Sequence, residues 1–276
     1  MGLPADFQFS QSSLQDYVDC PRRFYLRYVR GLAWPALQAE PALEHERHLQ
    51  QGVQFHRLVH QHVLGVPSEE LSRATADANL RGWWGNYLEH GPTELPEMLY
   101  PEAVLSAPLG GHRLVAKYDL IAVDVGRRVV ILEWKTYRKR PGRRWLAERL
   151  QTRIYRYLLV RAGACLNEGQ ALESEQVEMV YWFANFPDHP EGFAYDAAQY
   201  QADEVYLTGL IAEIEGLEEE GFPLTGDTER CQYCRYRSLC RRGIRAANME
   251  DAGEELELDD ELDFSLDLEQ VAEIEF

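Results

Sequence analysis

Long apolar runs are missing from this chain. Its most hydrophobic stretches, such as Val129 to Leu132 and Val177 to Ala184, fall far short of the roughly 20 residues needed to cross a bilayer. A basic-then-apolar leader is missing at the N-terminus as well, so a cytoplasmic protein with no membrane association is expected. Cysteine is scarce, with five in 276 residues. An odd number suits no closed disulfide framework, and a reducing cytosol would open such bonds anyway. Lys and Arg are absent from Glu250 to Phe276, a segment holding thirteen Asp and Glu. Those thirteen account for most of the formal net charge of −18. The body of the chain is therefore close to electrically balanced, and the total charge excludes no partner by itself.

Hydrophobic residues make up 45% of the chain, enough for one sizeable core built as a single elaborated domain. Arginine is clustered in three places: Arg22, Arg23, Arg27 and Arg30; Arg138, Lys139, Arg140, Arg143 and Arg144; and Arg230, Arg235, Arg237, Arg241, Arg242 and Arg245. Local fields of this kind steer a polyanion whatever the net charge. The period of the apolar residues predicts helices over Ser10 to Arg27, with Ser10 or Ser12 as cap and Leu14, Tyr17 and Val18 on one stripe, and over His45 to Leu64 and Leu71 to His90. It then changes to two. Glu102 to Ala107, Arg113 to Val123 and Arg128 to Tyr137 read as an antiparallel meander turned at Gly110-Gly111 and Val125-Gly126. A helix over Trp145 to Arg161, a strand over Val177 to Ala184 and a helix over Gln201 to Glu220 follow. This order indicates a mixed α/β core behind a helical N-terminal section. The expected organisation is a domain over residues 1–248, with a cysteine-rich segment near 221–245, and an acidic tail over 249–276 without fixed structure.

The strand Val129 to Thr136 carries the strongest local signal. Alternate side chains leave a strand on opposite faces, so Glu133 and Lys135 project together while Leu132 and Trp134 point away. An acid and an ammonium at the end of an apolar strand are costly to bury without a partner or a task. Asp119, in the strand expected to pair with it, brings a second carboxylate beside Glu133. Two adjacent carboxylates repel unless a cation lies between them, and hard oxygen donors favour Mg²⁺ or Mn²⁺. On the helix that follows, Gln151 and Tyr155 are four residues apart and share a face. Earlier, Gly52 and His56 have the same separation. A Glu-x-Lys alone is usually an ion pair on a strand surface, and a helical histidine is usually structural. The ordered combination of His, Asp, Glu-x-Lys and Gln-x3-Tyr is what singles these residues out.

That combination resembles the PD-(D/E)XK nuclease superfamily, and within it the RecB-like branch. The resemblance spans about Phe9 to Arg242, and departs from the pattern at Ala116-Lys117-Tyr118-Asp119, where the family often has a glycine ahead of its Asp. It implies a restriction-endonuclease-like fold with a mixed central sheet flanked by helices. It further implies a divalent-metal-dependent deoxyribonuclease, of exonuclease or end-trimming type, with catalytic Asp119, Glu133, Lys135, Gln151 and Tyr155. The metal, Mg²⁺ or Mn²⁺, would be held by His56, Asp119, Glu133 and the carbonyl of Trp134, with Glu102 a candidate for a second ion. DNA ends or single strands would be the substrate. Arg22 to Tyr28 and Arg235 to Arg245 would supply stacking and phosphate contacts. A helicase or CRISPR integration proteins would be the partners.

The second signal is Cys231-x2-Cys234-x5-Cys240, with Cys20 as the fourth thiol. On spacing alone, four soft ligands favour structural zinc. The resemblance favours instead a [4Fe-4S] cluster joining the two ends of the chain as a staple. Cys165 fits neither pattern and reads as a free thiol. A competing expectation is a non-catalytic nucleic-acid-binding or assembly module that keeps the fold without the reaction, its acidic tail covering a basic groove or docking on a partner. A third is a structural zinc protein with incidental acids.

Overall fold

The apolar run Val129 to Leu132 ahead of Glu133 calls for a strand covered on both faces, and the computed structural model supplies one. It describes residues 3–4, 6–32, 40–75, 77–218, 221–231 and 234–242, with the side chains of 40–46 excepted. The acidic tail, Arg245 and the segment around residue 249 lie outside the described residues.

The central strand is β6 (Arg128–Lys135), in which every residue after Arg128 is buried. It lies in a five-stranded sheet of order β2-β5-β6-β7-β8, formed by β2 (Met98–Pro101), β5 (Leu120–Asp124), β7 (Val177–Phe183) and β8 (Glu191–Ala194). β5 runs antiparallel to β6 and β7 runs parallel to it. A parallel pair needs a crossover, and the chain between them supplies α6 (Arg143–Glu148) and α7 (Leu150–Ala162). Strand pleating divides the core in two. Val129 and Ile131 face a cluster with Leu14 of α1 (Gln11–Asp19), Leu150 and Ile154 of α7, and Leu207 and Ile211 of α8 (Ala197–Glu215). Val130, Leu132 and Trp134 face the other cluster, with Phe55 of α3 (Glu40–Val63), Leu71 of α4 (Ser68–Arg73) and Trp83 and Trp84 of α5 (Ala78–His90). Helices on both faces of a mixed sheet are the expected architecture.

A second, three-stranded sheet has the order β1-β4-β3, from β1 (Gln8–Ser10), β3 (Val104–Leu109) and β4 (His112–Lys117). Here the expected meander needs correcting. Arg113 to Val123 is two strands, not one: β4 belongs to the small sheet and β5 to the large one. The hairpin register nevertheless carries through the break. Pro101 faces Leu120 and Val104 faces Lys117, so Glu102 faces Asp119. The Glu102 N–H donates to the Asp119 carbonyl at 3.0 Å, and the Tyr118 N–H to the Ala103 carbonyl at 2.9 Å. Glu102 turns the corner with φ of 55°, a left-handed conformation that costs a non-glycine residue about 1 kcal/mol.

Other boundaries shift for local reasons. Ser10 caps α1, accepting from the Ser13 N–H at 3.2 Å. Cys20 then ends that helix in extended conformation before Pro21 starts α2 (Pro21–Phe24), which runs into a π-helical turn over Tyr25–Val29. Val18 lies off the predicted stripe, exposed. The helix expected over Leu71 to His90 is two, α4 and α5, the latter capped by Asp77, which accepts from Asn79 and Leu80. The helix expected over Trp145 to Arg161 is also two, divided at the extended Arg149. The last long helix, α8, begins at Ala197 and ends at Glu215, and its Val205 is exposed.

Phe55 is fully buried, with Trp83, Tyr87 and Trp182 ringing it at centroid distances of 6.1 to 6.5 Å. Phe55→Ala is expected to destabilise the fold by about 3–5 kcal/mol, measured by chemical denaturation.

Candidate active site

The corner between the two sheets is where the polar residues converge. β6 ends here, so Glu133 and Lys135 leave the sheet on the α7 side, each 3% exposed. The Lys135 ammonium lies 3.8 Å from Glu133 Oε2. From α7, Gln151 donates its amide N–H to the same Oε2 at 2.8 Å. Glu133 Oε1 accepts the backbone N–H of Asp119 at 3.4 Å. The Asp119 carboxylate in turn accepts the Trp134 N–H on Oδ2 at 2.8 Å, while its Oδ1 pairs with His56 Nδ1 at 3.0 Å. Burial alone would push the Asp119 carboxyl up. The charge and hydrogen bond of His56, the Lys135 ammonium and the Trp134 N–H outweigh it and hold the carboxyl below its usual range.

Tyr155, one turn after Gln151, acts on the backbone. Its hydroxyl donates to the Lys117 carbonyl at 2.8 Å, and the Tyr118 hydroxyl donates to the Tyr155 carbonyl at 2.9 Å. Burial, reinforced by the Glu133 charge, raises both phenols far above their usual range, so both stay protonated donors. α7 is thereby fastened to the strand that presents Asp119. The cleft so formed is open to solvent, and Ser10, His48, Gly52, His56, Glu102, Lys117, Asp119, Glu133, Lys135, Gln151 and Tyr155 all line it.

Sequence reasoning missed several of these. Lys117 pairs with Glu102 at the rim. His48 places Nε2 3.1 Å from the Thr136 carbonyl. The four-residue spacing of His48, Gly52 and His56 on one helix was the available signal for the latter. Gly52 itself has a packing reason. A Cβ there would lie 3.2 Å from Thr136 Oγ1, so its absence lets α3 approach the end of β6.

Among the described residues no three His, Cys, Asp or Glu side chains stand gathered as a ready metal site. His56 and Asp119 use their facing atoms on each other. The donor set nonetheless has the right chemistry for a hard divalent ion: two carboxylates, one of them held ionised, and an imidazole. The four cysteines are free thiols and electrostatic neighbours. Burial raises the Cys231, Cys234 and Cys240 thiols, Cys234 to about 11, and Cys20 adds to the rise in all three. Thiols are the donors a thiophilic metal takes, but no three of these cysteines stand gathered as a metal site among the described residues. Their segments are also tied directly. The Arg22 N–H donates to the Pro223 carbonyl at 3.1 Å, Arg230 lies 3.2 Å from Asp19, and the Tyr236 hydroxyl donates to the Leu32 carbonyl at 2.8 Å.

Several arginines of the first two clusters are engaged in ion pairs. Arg23 and Arg27 both bind the buried Asp16 carboxylate, at 2.6 and 2.9 Å. Arg140 and Arg143 both grip Glu191. Arg138 and Lys139, shortly after β6, are exposed.

The chain belongs to the PD-(D/E)XK nuclease superfamily, whose family model matches residues 8–241. Members of this superfamily generally use divalent metals such as Mg²⁺. No curated protein matches the chain. Among solved structures, one named "Putative exonuclease" from Eubacterium rectale is 12% identical, with 90% of this chain and 94% of that one covered at a TM-score of 0.49. Another, SSO0001, is 15% identical, with 86% and 87% covered at a TM-score of 0.40. The family assignment rests on the family model and not on these two.

Gly52→Val is expected to cost about 1–3 kcal/mol by overpacking against Thr136. Gly52→Ala, which gains helix propensity and needs only a rotation of the Thr136 hydroxyl, should stay within about 1 kcal/mol of the parent, both read from denaturant midpoints.

Proposed function

We propose that this chain is a divalent-metal-dependent DNA nuclease of the RecB-like branch, with exonuclease or end-trimming activity on single-stranded or splayed DNA. One observation carries the reading: Asp119 from the break between β4 and β5, Glu133 and Lys135 from β6, Gln151 from α7 and His56 from α3 form one array of hydrogen bonds and ion pairs lining one open cleft. A non-catalytic module would have no need to bury so complete a set of charges.

In this reading His56, Asp119, Glu133 and the Trp134 carbonyl hold one or more Mg²⁺ or Mn²⁺ ions. Such an ion supplies Lewis acidity, lowering the pKa of water and offsetting charge on the phosphorane-like transition state. The protein's own groups do the rest. Lys135, close to Glu133 and almost inaccessible to bulk water, orients the attacking water and neutralises developing negative charge. Gln151 holds Glu133 Oε2 and so fixes the orientation of the carboxylate. Tyr155 is a positioning residue, because its hydroxyl is engaged with the backbone ahead of Asp119. Exposed Arg138 and Lys139 lead the strand to the cleft, a role that the ion-paired Arg23 and Arg27 are poorly placed to fill.

The four cysteines, Cys20, Cys231, Cys234 and Cys240, are read as ligands of a [4Fe-4S] cluster that fastens the N-terminal helices to the C-terminal segment, with structural zinc as the alternative. Residues 1–248 form the nuclease domain and 249–276 an acidic tail. The branch resemblance points to a helicase or CRISPR integration proteins as partners.

Asp119→Ala, Glu133→Ala and Lys135→Ala are each expected to abolish Mn²⁺-dependent release of label from end-labelled single-stranded DNA, while oligonucleotide binding persists. Full activity in any of the three removes the site from the reaction. Protein purified without oxygen should be brown and absorb in the blue. Cys234→Ser should bleach it, whereas colourless protein carrying stoichiometric zinc would replace the cluster with the alternative.

A further inference from the structure

The corner that presents Asp119 also presents an ion pair with no role in the array just described. Glu102 and Lys117 join their side chains across the hairpin at the rim of the cleft, and both remain about a quarter to a third exposed. Lys117 is two residues before Asp119, and its side chain lines the same cleft. Its carbonyl is the one that Tyr155 holds, so the backbone carrying this ammonium is tied to α7. Glu102 sits opposite Asp119 in the register, in the left-handed conformation that turns the hairpin from one sheet into the other. A strained residue kept at the lip of a cleft points to a task there.

Two tasks are open to the pair: Glu102 could hold a second divalent ion, or Lys117 could hold a phosphate. Geometry favours the second. The Glu102 carboxylate is already joined to the Lys117 ammonium, which an ion at Glu102 would have to displace, whereas a phosphate takes over an ammonium that already lines the cleft.

We propose that Lys117 contacts a backbone phosphate of the nucleic acid in the cleft, and that Glu102 is the positioning residue that holds its ammonium at the rim until the phosphate takes it over. The inference rests on the nuclease reading and adds to it a residue that binds substrate without belonging to the reacting array. A lysine serves here as a point charge, so an arginine should substitute for it in affinity.

The test is binding of a short fluorescein-labelled oligothymidylate, followed by anisotropy in EDTA over a series of salt concentrations, with melting temperatures checked for each variant. Lys117→Gln should weaken binding roughly three- to tenfold and reduce the slope of log affinity against log salt by about 0.7, the value of one lost phosphate contact on a single strand. Lys117→Arg should keep both affinity and slope. Glu102→Gln should bind as tightly as the parent or more so, and leave the Mg²⁺ dependence of cleavage unchanged. A parental slope in Lys117→Gln overturns the proposal. So does a raised Mg²⁺ requirement in Glu102→Gln, which would make Glu102 an ion ligand. Because the binding series needs no cleavage, a parent protein that binds but never cuts would sink the nuclease reading alone.

Discussion

Asp119 has to keep a carboxylate ionised at the junction of two sheets, and much of the surrounding architecture follows from how that is done. Its two oxygens are held from different directions, Oδ2 by the Trp134 N–H of the neighbouring strand and Oδ1 by His56 from α3. The first contact is possible because Asp119 lies in the break between β4 and β5. There its side chain is turned toward the edge of β6, where a regular strand residue would point straight away from the sheet. The second is possible because α3 comes close enough, across a glycine, to bring an imidazole around the end of the sheet.

Burying Glu133 and Lys135 almost completely would be prohibitive for either alone. Together with the Gln151 amide and the Asp119 N–H they form a group in which the carboxylate oxygens are both met by donors. The apolar cores on each face of β6 keep that group from bulk water, which strengthens every interaction within it. The same hairpin corner holds Asp119 and the Glu102–Lys117 pair, so the two sets of charges share one support.

Part of this was legible in the chain and part was not. The period of two through Val129 to Lys135 gave the face shared by Glu133 and Lys135, because a fully covered strand advertises itself as an apolar run broken only where polar groups have a purpose. Gln151 and Tyr155 were legible as one helical face, but only coordinates separate their tasks, one gripping Glu133 and the other the Lys117 carbonyl. The corner was invisible. Val115 to Val123 alternates well enough to pass for one strand, and a left-handed Glu102 has no signature like that of glycine. The arginines near Cys20 looked free because their acceptors, Asp16 and Asp19, are neighbours around a helix break at Pro21. For the cysteines, spacing suggested a site and the family resemblance its occupant, but among the described residues no three of them stand gathered as a metal site.

The central claim is that Asp119 and Glu133 together hold a divalent ion in the cleft. Titration of Mn²⁺ into the protein, followed by electron paramagnetic resonance, tests it without any substrate. The account predicts that the parent protein binds Mn²⁺ and that Asp119→Asn and Glu133→Gln, both folded, each lose that binding. Equal Mn²⁺ uptake by the parent and both variants would contradict it.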